Sequence, residues 1–123
     1  MRARPGTVLL PALAFLAFAA SAADDLRATL ATSQDVAEGK RVAQEYCTRC
    51  HGANGVSATA GIPHIAAQRA AYLHLQLRAY KQGGRPQSAM TSAVGFLSDD
   101  ALVKVAAYYA SLDPPPDCCT MKA

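Results

Sequence analysis

Cys47-Thr48-Arg49-Cys50-His51 sets two thiols three positions apart and an imidazole directly after the second. Each thiol can add across one vinyl group of a porphyrin, and the adjacent imidazole then lies beneath the ring, where a nitrogen can bind iron. The pentad is the attachment signature of c-type haem. It implies one haem c, bound covalently through Cys47 and Cys50, with His51 as a metal ligand. Thiols at this spacing also occur in thioredoxin-like redox motifs and zinc knuckles. A zinc site wants four ligands, and the other cysteines, Cys118 and Cys119, stand next to each other. A thioredoxin-like motif follows a strand in a βαβ unit, whereas a helical pattern precedes Cys47.

Haem iron has a second axial position, for which Met90, Met121, His64 and His74 compete. Met90 lies in the segment between the second and third helical patterns, four residues after Pro86, where the chain can cross the opposite face of the porphyrin. It is the ligand chosen here. Met121 follows a triple proline and both spare cysteines, in a stretch read as an exposed extension. His64 follows the pentad closely and stays on the side of His51. His74 is expected to face solvent or to bond a propionate. A His/Met pair leaves no open position on the iron and favours a relatively high reduction potential, so electron transfer is expected and not catalysis.

Three helical patterns must position these groups, and no segment alternates like a strand. The first covers 35–46, with Val36, Gly39, Val42, Ala43 and Tyr46 on one face and Ser33 or Asp35 as cap. Gly39 costs about 1 kcal/mol relative to Ala inside a helix, which suggests a close helix contact there. The second covers 70–82 and stops at Gly83-Gly84. The third starts at Ser98, with Asp99 and Asp100 suiting the positive helix end, and runs to Leu112 before Pro114-Pro115-Pro116. Residues 51–68 and 85–97 read as loops. The fold class is all-α, three main helices with long loops around a cofactor.

Arg2 and Arg4, an apolar run from Thr7 to Ala20, and Ala20-Ser21-Ala22 read as a cleavable export leader over 1–22. A lead-in over 23–34, a domain over 35–112 and a Pro/Cys-containing tail over 113–123 follow. The expected location is the periplasm, with no integral membrane span after cleavage. Removing the leader lowers the formal charge from +3 to +1. The distribution says more than the sum. Lys40, Arg41, Arg49, Arg69, Arg78, Lys81 and Arg85 face only Glu45 in the central stretch, between acidic residues on both sides. Such a patch around an exposed haem edge would steer redox partners with acidic docking surfaces, with scattered solvated charges as the alternative. Nothing resembles an aromatic-interleaved nucleic-acid motif.

Over residues 35–112 these features resemble the class I cytochrome c family, in its small bacterial periplasmic monohaem branch. Beyond the pentad, Gly39 stands eight residues before Cys47, Pro63-His64-Ile65-Ala66-Ala67-Gln68 is similar to the family's P-x-L-A-G-Q, and Tyr72-Leu73 with Gln76-Leu77 is similar to its Y-L-x-x-Q-L. Gly84, Arg85 and Met90 match its ligand loop, and Leu97-Ser98-Asp99-Asp100 and Ala107-Tyr108-Tyr109 match its last helix. The resemblance implies a small cytochrome c fold in which Gly39 meets Tyr108 or Tyr109 where the first and last helices cross. It implies that the Pro63 carbonyl accepts the proton of the distal ring nitrogen of His51. Ile65 is placed against the cofactor, and Arg85 beside a propionate or, alternatively, in solvent. Ile65 and Ala67 depart from the family's usual Leu and Gly.

Two roles follow from this. One is a freely diffusing carrier of single electrons between periplasmic redox proteins. The other is the haem electron-transfer subunit of an oxidoreductase complex, with a flavoprotein such as that of flavocytochrome c sulfide dehydrogenase, or another dehydrogenase subunit, as partner. Cys118 and Cys119 are not needed by the domain; a bond to another chain competes with an unimportant tail as their explanation.

Overall fold

A computed structural model describes Ala23 and residues 26–116. The leader, Met121, Cys118 and Cys119 lie outside the described residues. Five helices follow one another with no strand among the described residues: α1 (Ser33–Tyr46), α2 (Thr48–His51), α3 (Ala70–Lys81), α4 (Ala89–Val94) and α5 (Asp99–Ala110). Residues 26–29 add a helical turn ahead of α1.

The ends of these helices have local causes. Thr32 caps α1, not Ser33 or Asp35: its hydroxyl accepts from Asp35 N while the Asp35 carboxylate accepts from Thr32 N, a capping box that satisfies both orphan donors. Ser98 caps α5 as expected, its hydroxyl accepting from Ala101 N. At the end of α3, Gly83 takes φ 76°, Gly84 N donates to Ala79 O and Gly83 N to Tyr80 O, a Schellman arrangement that only a left-handed residue allows. The helix α4 corrects the reading of 85–97 as a loop. Six residues are too few to show a periodic pattern, and the local signal is the bond from Ser88 N to the Thr91 hydroxyl.

α1 crosses α5, and the point of closest approach is Gly39. A Cβ placed on Gly39 would stand 2.0 Å from the Lys104 carbonyl oxygen and 3.1 Å from Tyr108 Cβ, so the backbones touch where no side chain fits. The expected contact with Tyr108 is present, with the Lys104 backbone even closer. Around the crossing, Ala43, Leu73, Val105, Ala106, Tyr108 and Tyr109 form the main core, and Val94, Leu97 and Leu102 form a second. Val42 and Leu77 pack against both.

Ion pairs sit over the crossing. Lys104 Nζ reaches Glu38 and Asp100 at 2.7 Å each, and Arg27 pairs with Asp100. The hydrogen bond from Lys104 holds the carboxyls of Glu38 and Asp100 below their ordinary range. Because these groups remain partly exposed to solvent, the cluster orients the helices more than it stabilises them.

Candidate functional site

The pentad leaves α1 through Cys47, which ends that helix, and makes one further turn as α2. That turn puts Cys47 half-buried, Cys50 exposed and His51 buried at 7% exposure. Both thiols are free. Burial pushes the Cys47 thiol above its ordinary value, so it stays protonated at neutral pH.

Residues 52–69 return over His51. Gly52 follows it at φ 79° and ψ 159°, a backbone region open essentially to glycine alone, and a Cβ there would meet Val56 O at 2.1 Å. Gly55 O accepts from Ile65 N at 2.8 Å and Ala66 N at 3.1 Å, which folds the loop back on itself. The result sets Pro63 O 3.0 Å from His51 Nδ1. A carbonyl can only accept, so Nδ1 carries the proton and Nε2 keeps its lone pair, the tautomer an imidazole needs to ligate a metal through Nε2. The bond implied by the resemblance is there.

His64 is turned to another task. Its Nδ1 accepts from Ser57 N at 2.9 Å, closing the loop from inside. His74 corrects the expectation of a solvent-facing residue: it is 0% exposed. It stands next to Leu73 and three residues before Leu77, on the inward side of α3, and the helix packing there decides its burial. Ala67 is the one non-glycine with positive φ among the described residues, at 58°. Its N–H donates to Tyr109 O at 2.9 Å, tying the loop to α5. The family's usual glycine at this position has a physical reason that the sequence did not disclose.

Met90 opens α4, half-buried against the Val94, Leu97 and Leu102 cluster together with Val42, Leu77 and Tyr80. Ile65 packs half-buried against the main core. Arg85 is not loose in solvent. Its guanidinium donates to Gln76 Oε1 at 2.8 Å and lies 4.3 Å over the Tyr80 ring, pinned to α3. Part of the central basic stretch is already neutralised, since Lys81 Nζ donates to Leu97 O and Asp99 at 2.8 and 2.7 Å. Phe96, 62% exposed, stacks edge-on against Tyr46.

The donor set fits a covalently held porphyrin: two free thiols on one helical turn, an imidazole in the ligating tautomer and a thioether on a separate helix with apolar neighbours. Sequence reasoning missed Gly52, Gly55 and Tyr109. The glycines were visible as part of a Gly-rich stretch, but their φ values were not. Tyr109 was read only as an aromatic of the helix crossing.

Comparison with known proteins places residues 34–108, more than half of the chain, within the family described as cytochrome C oxidase, cbb3-type, subunit III. The chain is 40% identical over 77 residues to "Cytochrome c4" of Pseudomonas aeruginosa, covering 63% of this chain and 38% of that protein. It is 39% identical over 69 residues to "Thiosulfate dehydrogenase electron acceptor" of Stutzerimonas stutzeri, covering 54% and 32%. With "Cytochrome c-554(548)" of Halomonas halodenitrificans the figures are 35% over 68 residues, 53% and 82%. The chain thus matches about a third of the length of the first two and most of the third.

Proposed function

Because the chain belongs to the cytochrome C oxidase, cbb3-type, subunit III family, and so carries covalently bound haem c, we propose that it is a periplasmic one-electron carrier whose iron is held between His51 and Met90. When bound, haem supplies the reversible one-electron change of its iron. The residues of the chain govern how it is held. Cys47 and Cys50 provide the two sulfurs for attachment. The Pro63 carbonyl keeps the proton on His51 Nδ1 and fixes the ring, leaving Nε2 for the metal. Met90 provides a thioether, a weak donor that favours the reduced state. Ile65 supplies apolar cover that limits water, and Arg85, held on Gln76 and Tyr80, is the cation available to a propionate.

The contact between His51 Nδ1 and Pro63 O beside the paired thiols carries this reading, because it presets a ligating tautomer that a structural histidine does not need. The similarity to a protein named thiosulfate dehydrogenase electron acceptor supports a carrier that takes electrons from a dehydrogenase and hands them on. The remaining basic residues of the central stretch support partners with acidic docking surfaces. Export by cleavage after a leader over 1–22 accords with haem attachment outside the cytoplasm. Among the described residues, no helix is long and apolar enough to cross a membrane.

Met90→Ala tests the ligand set. The expected result is loss of the long-wavelength sulfur-to-iron absorption band and a lower reduction potential, with haem still attached; an unchanged band removes Met90 from the iron.

A further inference from the structure

Tyr109 is 2% exposed, and its hydroxyl oxygen is fully buried, with no hydrogen bond of ordinary geometry among the described residues. Burial, followed by the neighbouring Cys47, pushes this phenol far above its ordinary range, so it remains a donor at any working pH. The ring cannot swing away to find a partner. A Cβ on Gly55 would stand 2.9 Å from Tyr109 Cδ1, the Tyr108 ring lies 5.1 Å away, and the Tyr109 carbonyl is held by Ala67 N at 2.9 Å. Phenylalanine would fill the same space without stranding a polar atom, so the hydroxyl calls for an acceptor. The polar atom beside it is the Cys47 sulfur, which packs half-buried against the same core.

We propose that Tyr109 is a positioning residue whose O–H donates a hydrogen bond to the Cys47 sulfur once that sulfur has become a thioether. The sulfur offers lone pairs in either form, and as a thioether it has no proton of its own and can only accept. Attachment of haem therefore leaves acceptance from Tyr109 as the sulfur's sole hydrogen-bonding role. The bond would orient one of the two covalent staples, and a donor on that sulfur draws electron density from it, which would favour the reduced iron. Cys50, by contrast, is exposed.

The inference rests on the haem reading above, and the test separates the two. Haem-loaded parent, Tyr109→Phe and the control Tyr108→Phe are compared by potentiometric titration and by resonance Raman spectra of the thioether C–S stretches. The expected result is a lower reduction potential in Tyr109→Phe and a shift of one of the two C–S bands, with the control matching the parent. A potential in Tyr109→Phe equal to or above that of the parent, with both bands in place, overturns the hydrogen bond and leaves the hydroxyl as inert packing. A parent chain that takes up no haem in a host competent for attachment overturns both readings.

Discussion

The chain around His51 and the chain around Met90 are built on different terms. The first is a loop with almost no regular structure, yet hydrogen bonds pin it at every stage: Gly52 on Thr48, Gly55 on Ile65 and Ala66, His64 on Ser57, Ala67 on Tyr109. The second has a helix of its own, α4, but that helix rests on a short cap and on apolar side chains. Directional backbone bonds tolerate little displacement, whereas apolar contacts slide. The chain around His51 is therefore preset, and the chain around Met90 can adapt.

Substitutions sharpen this contrast. Gly52→Ala, on the preset side, drives a methyl group to 2.1 Å from Val56 O in a backbone region closed to alanine. It is expected to cost about 3 kcal/mol or more, lowering the midpoint of thermal unfolding by roughly 10 °C or more, whichever probe follows it. Ala67→Gly acts on the same loop in the opposite direction. It relieves a left-handed alanine, and an increase in stability of roughly 1 kcal/mol is expected by denaturant titration, net of the added freedom of the unfolded chain. Thr91→Val, on the methionine side, removes only the 3.3 Å bond from Ser88 N. The loss should be about 0.5 kcal/mol and confined to α4, visible as faster amide exchange at 89–91 with the His51 loop unchanged. A large effect of Thr91→Val that spreads to residues 52–67 would show that the two sides are one rigid unit.

What could be read in advance divides along similar lines. α1, α3 and α5 were legible because each is long enough to show its apolar period and ends in residues with stereochemical meaning: Gly83-Gly84 after α3, Ser98 before α5. The Gly39 contact could be suspected because glycine inside a helix needs a reason. α4 was illegible because one and a half turns carry no period, and Ser88 and Thr91 are common loop residues. Thr32 was passed over as a cap in favour of Ser33 or Asp35, since spacing does not say which of these neighbouring cap formers turns its side chain onto the helix. The pentad announced its chemistry outright, while the atoms that tune it did not. The left-handed state of Ala67, the burial of His74 and the stranded hydroxyl of Tyr109 each depend on a partner far along the chain, which spacing cannot reveal.

The clasp between α1 and α5 joins Glu38 to Lys104, 66 residues apart, and the same crossing brings Tyr109 onto Cys47. A polypeptide released amino end first displays its two sulfhydryls well before the segment that will cover one of them has emerged. Docking of the last helix is thus what half-buries Cys47, while Cys50 stays exposed in the folded chain.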